Sequence, residues 1–178
     1  MNKLELLLLS LLALNAAPAG AQPRPDEQAQ REAMKRLTFL VGQWRGEATV
    51  AMGPGEPRKL EQTEEVQWKL DGLLLLVEGT GRDPATGRVE FSALATITYD
   101  DAARTYRIRA HRAGRYVETE LRVLERAFEW GFPAGPATIT NSMTLDADGR
   151  WVETTDAVVN GGPPRRSVEL RLTKLPAR

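Results

Sequence analysis

Ten short runs in which apolar and polar residues alternate constrain the fold of this 178-residue chain more than any other feature. An apolar residue at every second position is typical of a strand with one buried face. Gly, Pro, Asp and Asn separate the runs and indicate turns. No helical pattern interrupts the series, which favours consecutive antiparallel strands over parallel units joined by helices. The predicted strands span residues 44–52, 58–70, 73–82, 89–99, 105–111, 116–124, 127–132, 137–145, 151–159 and 166–174.

This pattern predicts an all-β fold, a roughly ten-stranded antiparallel up-and-down barrel with a short N-terminal capping helix. An open sheet of ten strands leaves two edges available for pairing with other chains, whereas closure removes both edges. The helix is expected from Asp26 to Leu37 or Leu40, because Asp26 can cap it and Gly42 stops it. We expect residues 22–178 to form a single domain, since this length supports a sizeable core.

Residues 1–21 are predicted to be a secretory signal peptide. Lys3 precedes an almost wholly apolar run at residues 6–14, and Ala19-Gly20-Ala21 fits the small-residue cleavage pattern. The run is too short to span a bilayer, which needs about 20 apolar residues. Cleavage after Ala21 leaves no stable membrane anchor. We therefore expect a bacterial periplasmic or secreted protein.

The composition excludes several classes of function. Lys plus Arg and Asp plus Glu each number 24, so the net charge is zero, which argues against a nucleic-acid-binding protein. The chain contains no cysteine, which excludes disulfides, a thiolate nucleophile, a Cys-ligated metal and a lipidated N-terminus. With one histidine and scattered acids, no metal site is predicted. The sequence Asp146-Ala147-Asp148-Gly149 lacks the later ligands of a calcium loop and predicts a hairpin turn.

Polar residues occupy positions on the inward faces of two predicted strands. Alternation places Gln62 and Glu64 on one face with Leu60, Val66, Trp68 and Leu70. Asn141 similarly shares a face with Ile139 and Met143. A buried polar group without a partner costs about 1–3 kcal/mol, so each needs a partner, a water molecule or a ligand. The alternatives are a register bulge that reverses the faces, or an arginine at the barrel rim that pairs with Glu64.

These polar positions and nearby small or aromatic residues predict a ligand cavity. Glu64 and Asn141 would orient the polar end of the ligand. Phe128, Trp130 and Phe132 alternate on one strand face. They are predicted either to pack in the core or to form a wall on which a flat ligand stacks. The candidate lining residues come from five predicted strands: Ala48, Gln62, Glu64, Phe91, Ala93, Tyr99, Trp130 and Asn141.

No residue is predicted to be catalytic. His111 is the only histidine, and it shares a strand face with Arg107 and Arg109 next to a turn. This arrangement predicts a solvated position outside the barrel or at its rim. A Ser-His-Asp triad would have to recruit this outward histidine.

The sequence Gly42-x-Trp44-x-Gly46, preceded by Phe39-Leu40-Val41, and the later Leu70-Asp71-Gly72 resemble the lipocalin-like (calycin) superfamily. The resemblance is closer to uncharacterised exported bacterial barrels that are distantly related to nitrobindin. It implies that Gly42, Trp44 and Gly46 form a structural signature, with Trp44 packed at the closed end of the barrel. Nitrobindin-like proteins bind haem through a histidine near the C-terminal strand. Residues 168–178 contain no histidine, so we expect neither haem nor another cofactor.

The leading hypothesis is non-catalytic binding of a small, largely hydrophobic molecule inside the barrel. One alternative is a barrel isomerase or hydrolase that uses Glu64 as a buried base. A second alternative is an envelope structural or interaction protein with a filled barrel, which contacts partners through exposed loops. The sequence indicates neither the ligand nor the oligomeric state.

Overall fold

The computed structural model describes residues 24–51 and 55–176, and the predicted signal peptide lies outside these residues. Ten antiparallel strands form a closed barrel in which each strand pairs with its sequence neighbours and the last pairs with the first. The predicted fold class is therefore confirmed. The strands are β1 (Gly42–Val50), β2 (Arg58–Lys69), β3 (Leu74–Arg82), β4 (Val89–Asp100), β5 (Thr105–Arg112), β6 (Arg115–Leu124), β7 (Ala127–Ala134), β8 (Ala137–Leu145), β9 (Trp151–Val159) and β10 (Arg165–Lys174).

The end of β2 differs from the prediction. A short 3-10 turn at Leu70–Gly72 follows Lys69, and both Leu70 and Asp71 adopt positive φ angles of 49° and 54°. The turn takes Leu70 out of the strand alternation and leaves it 69% exposed. The prediction that Leu70 points inward is wrong, because the turn begins one residue earlier than the apolar pattern indicates.

One end of the barrel is closed by the N-terminal helix. Helix α1 (Glu27–Met34) continues into a 3-10 helix, Lys35–Leu40, and together they fully bury Met34, Leu37 and Leu40. The hydroxyl of Tyr106 on β5 donates a hydrogen bond to the Ala33 carbonyl at 2.7 Å. The predicted capping helix is confirmed, and its apolar side chains close this end of the core.

Replacing Asp26 with Ala should lower the free energy of unfolding by about 1 kcal/mol. The Asp26 carboxylate accepts a hydrogen bond from the Ala29 amide at 3.0 Å, which satisfies one of the free N–H groups of the first helical turn. Urea unfolding measures the change. The control is Glu27→Gln, which removes an exposed ion pair with Arg31 and one acidic charge of the first turn but leaves the cap in place, and it should have a smaller effect. Equal losses in the two variants would contradict a capping role.

The two ends of the barrel differ in burial. Trp44, Ile97 and Trp151 are almost fully buried toward the helix-capped end. Toward the other end, inward-facing side chains such as Phe91, Ile139 and Val168 keep partial exposure. The interior is therefore sealed at the capped end and more accessible at the opposite end. Among residues 24–51 and 55–176, no helix is both long and apolar enough to cross a bilayer.

The barrel wall is weakest between β6 and β7. These strands share four paired positions, from Leu121 opposite Trp130 to Leu124 opposite Ala127, whereas other neighbouring strands share seven to nine. Beyond Trp130, β7 continues with Gly131 and Pro133, and a proline has no N–H to donate to a ladder. A cleft of about 410 Å³ opens here, with Leu121, Trp130 and Gly131 in its lining.

Candidate functional site

Polar side chains from β2, β8 and β9 form a group inside the barrel. We call Gln62, Glu64, Asn141, Glu153 and Thr155 the interior polar cluster. Gln62 and Glu64 are 1% and 7% exposed, and the Gln62 amide donates to Glu64 Oε1 at 2.7 Å. The predicted inward orientation of these two residues is confirmed, so β2 carries no bulge that reverses its faces.

Two glycines of β3 make room for the β2 side chains. Gly79 pairs with Glu64, and Gly81 pairs with Gln62. A Cβ atom at Gly79 would lie 2.6 Å from Glu64 Oε1, and one at Gly81 would lie 2.8 Å from Gln62 Oε1. A side chain at either position would displace the Glu64 carboxyl or the Gln62 amide from its observed place. The sequence Gly79-Thr80-Gly81 therefore serves to accommodate the buried carboxyl and amide groups.

Glu153 on β9 is a second interior carboxyl that the sequence analysis missed. The Trp151 indole N–H donates to Glu153 Oε2 at 2.9 Å. Glu153 is half-buried and pairs with the buried Met143 of β8. Trp151, two residues before Glu153 on the same β9 face, is 1% exposed, so Glu153 also points inward.

Asn141 and Glu153 lie at neighbouring inward-facing positions of the β8–β9 ladder. Asn141 pairs with Thr155 on β9, and the Thr155 hydroxyl donates to Asn141 Oδ1 at 2.7 Å. Asn141 is 6% exposed, and its Nδ2 has no hydrogen-bond partner among the described residues. A buried donor without a partner is costly, which favours a site where another molecule supplies the acceptor.

Burial controls the ionisation of both carboxyl groups. Desolvation, reinforced by the nearby charge of Glu153, raises the pKa of Glu64 to about 8, although the hydrogen bond from Gln62 acts in the opposite direction. Desolvation also raises the pKa of Glu153 to about 7, against the hydrogen bond from Trp151. Both carboxyls therefore titrate close to neutral pH.

The other candidate lining residues are distributed along the barrel. Ala93 pairs with Gly79, next to Glu64, and fully buried Ala48 lies on the inward face of β1. Phe91 lies toward the more accessible end, where the Arg112 guanidinium covers its ring at 4.6 Å. Tyr99 lies at the capped end, with its ring edge-on to Tyr106 at 4.9 Å. Tyr99 thus packs near the helix rather than beside the interior polar cluster.

The aromatic residues of β7 separate into two environments. Phe128 is buried and packs edge-on against Trp151, with ring centroids 6.3 Å apart. Trp130 and Phe132 are half-buried and stack on each other at 5.7 Å. Core packing therefore describes Phe128, whereas Trp130 and Phe132 form a flat aromatic surface near the β6–β7 cleft. Their contact with a ligand stays a prediction.

The Gly42-x-Trp44-x-Gly46 signature has a structural basis. The Trp44 indole N–H donates to the Leu40 carbonyl at 2.7 Å, and its ring lies edge-on to Trp151 at 5.5 Å. Trp44 therefore packs at the capped end, as the resemblance implied. A Cβ atom at Gly46 would lie 2.0 Å from the Arg171 carbonyl oxygen, so only glycine fits between β1 and β10. Gly42 has a φ of 129°, a conformation that glycine adopts most readily.

His111 is exposed on the outer face of β5, with its ring 5.7 Å from that of Tyr116. The predicted outer or rim position is confirmed. Since this is the only histidine of the chain, the interior does not fit a histidine-bound haem. The expectation that the protein has no cofactor stays a prediction. Among residues 24–51 and 55–176, no three His, Asp or Glu side chains lie close enough together to hold a metal ion.

Comparisons with known proteins support the fold. A family model described as "Protein of unknown function (DUF1579)" matches residues 27–109, somewhat less than half of the chain. No curated protein matches the sequence. Among solved structures, 15 chains match. One of them is Rv2717c from M. tuberculosis, which is 14% identical, with a TM-score of 0.61 over 81% of this chain and 98% of the other. At this identity, the similarity shows a shared fold alone.

Proposed function

We propose that this protein is an exported calycin-like barrel that binds a small, largely apolar molecule without catalysing a reaction. The interior polar cluster is the observation that carries the proposal. Two carboxyls and the unpaired amide nitrogen of Asn141 lie on an inner wall made largely of apolar and small side chains, where polar groups without partners destabilise the protein. A ligand with an apolar body and a polar end would satisfy them. The signal-like pattern of residues 1–21 supports export.

The inner wall beside the cluster is built from small residues. Gly79 and Ala93 are paired neighbours on β3 and β4, and Ala95 and Ala110 pair in the same way on β4 and β5. These positions alternate with outward residues, so their short side chains face the interior. These small side chains would leave room for the apolar part of a ligand beside the polar groups of the cluster.

Protein purified from an exporting host should carry a small molecule or bind N-phenyl-1-naphthylamine, a neutral fluorescent probe. Native mass spectrometry detects the first, and an increase in probe fluorescence detects the second. We expect Ala93→Leu to weaken probe binding tenfold or more, because the added atoms occupy space beside Glu64.

The matched control is Ser92→Leu, which adds a leucine to the outer face at the adjacent, exposed position. Its affinity for the probe should equal that of the unmodified protein. If the protein carries no molecule and binds no probe, the barrel is filled, and the alternative of an interaction protein is favoured. Equal weakening in both variants would place probe binding outside the interior.

The near-neutral titration of Glu64 and Glu153 favours an enzyme as the second candidate function. A carboxyl with a pKa close to ambient pH can act as a general acid or base. An isomerase or hydrolase that uses Glu64 as its base should lose turnover in Glu64→Gln. In a binding protein, the same substitution should change affinity alone.

A further inference from the structure

The two interior carboxyls each keep one oxygen available. The Gln62 amide donates a hydrogen bond to Glu64 Oε1, and the Trp151 indole N–H donates one to Glu153 Oε2. The second oxygen of each carboxyl accepts no hydrogen bond among the described residues. The charge of Glu153 raises the pKa of Glu64, and among the described residues the hydrogen-bond donors to the two carboxyls are an amide and an indole rather than basic side chains. The site is therefore rich in acceptors and lacks a cation.

Other charged and titratable side chains lie around the interior polar cluster on neighbouring elements. Toward the capped end, the Lys174 ammonium lies over the Trp44 ring at 5.1 Å, and Arg36 donates to the Val123 carbonyl. Both side chains therefore make their contacts outside the interior polar cluster. The remaining titratable groups at inward-facing strand positions lie at the two ends of the barrel. Near the helix are Tyr99 and Tyr106, and at the opposite rim are four exposed arginines, Arg58, Arg112, Arg115 and Arg165. Solvent and salt screen the charges of these arginines.

Asn141 provides independent evidence that this cluster is a ligand site. Its side chain is 94% buried, given its 6% exposure, and Nδ2 has no partner among the described residues. Asn141 shares the inner wall with Glu153, at the next inward-facing position of the β8–β9 ladder. A molecule that contacts the carboxyls can therefore extend to Asn141 and supply the missing acceptor.

We infer that the ligand of the interior site carries a protonated amine or amidine nitrogen, which binds between Glu64 and Glu153. This inference rests on the proposed function. A cationic nitrogen donates hydrogen bonds to the two available oxygens and offsets the repulsion between the two carboxylates. A hydroxyl or carbonyl oxygen nearby on the ligand accepts from Asn141. The apolar remainder lies against the alanines and glycines of β3 and β4.

The test compares n-octylamine, 1-octanol and octanoate, which share a chain length and differ in head group. Isothermal titration calorimetry at pH 7 should show octylamine binding at least tenfold more tightly than either of the others. The amine stays protonated from pH 6 to pH 8, while Glu64 and Glu153 lose their protons. Binding of the cation releases those protons to solvent, so octylamine affinity should rise at least tenfold over this range.

Glu64→Gln and Glu153→Gln should each remove most of the preference for octylamine and most of its pH dependence. The matched control is Glu61→Gln, an exposed, outward-facing position on the same strand, which should change neither. Equal affinity for octanol and octylamine would overturn the inference and leave the proposed function intact. Tighter binding of octanoate would assign head-group recognition to the rim arginines and also overturn it. Failure of all three compounds and of N-phenyl-1-naphthylamine would overturn both proposals.

Discussion

Glu64→Gln should stabilise the protein at pH 8 by roughly 2–4 kcal/mol and flatten the dependence of its stability on pH. The pKa of Glu64 is about 8 in the folded protein, against an ordinary value of 4.5. Below pH 4.5, both the folded and unfolded states hold the proton, and the carboxyl costs little. Between pH 4.5 and 8, the unfolded state releases the proton while the folded state retains it, so stability falls as pH rises. Glutamine has no proton to lose.

Urea unfolding at pH 5, 6.5 and 8 measures this effect. The unmodified protein should be most stable at pH 5 and lose stability steadily to pH 8. The variant should lose less, with a residual slope from Glu153, whose pKa is raised in the same direction. The control is Glu61→Gln on the outer face of β2, which should follow the unmodified protein. Parallel profiles for Glu64→Gln and the unmodified protein would show that Glu64 does not titrate anomalously.

Trp44→Ala should lower the free energy of unfolding by about 4 kcal/mol. The ring is 1% exposed, and removal of a buried aromatic side chain costs about 3–5 kcal/mol in lost burial and residual cavity. The substitution also leaves the Leu40 carbonyl without its donor at the junction between the 3-10 helix and β1. Chemical denaturation measures the loss, and the far-ultraviolet circular dichroism spectrum shows whether the barrel persists.

Trp44→Phe separates the hydrogen bond from the packing. Phenylalanine keeps most of the apolar ring and removes the N–H donor, so we expect a loss of about 1–3 kcal/mol. The control Trp68→Ala truncates a tryptophan that is only half-buried on β2 and should cost less than Trp44→Ala. A loss at Trp68 as large as that at Trp44 would show that Trp44 has no special role in joining the helix to the barrel.

The sequence predicts most of the barrel because its strands are locally encoded. The alternating runs locate all ten strands to within about two residues, since each strand has one buried face and ends at a turn residue. The predicted inward positions of Gln62, Glu64 and Asn141 are confirmed for the same reason. Leu70 departs from this pattern because a turn with positive φ angles overrides the apolar alternation.

The assembled site depends on barrel closure and could not be predicted as fully. Alternation could have placed Glu153 inside, but its electrostatic coupling to Glu64 depends on how β2 and β9 approach across β1 and β10. The partnership of Gly79 with the Glu64 carboxyl likewise requires the β2–β3 register. The strand alternation predicts Tyr99 in the cavity from its face alone, whereas its position along the barrel places it against Tyr106 at the capped end.

The short ladder between β6 and β7 is the weakest connection around the closed barrel. Separating these strands breaks four paired positions, whereas separating other neighbours breaks at least seven. We therefore expect thermal opening of the barrel to begin at Leu121–Leu124 and Ala127–Trp130, while the other strand pairs stay hydrogen-bonded. We expect a ligand of the proposed kind that exceeds the size of the interior to be accommodated by separation of β6 from β7, because the strands that hold Glu64 and Glu153 keep at least seven paired positions with each neighbour.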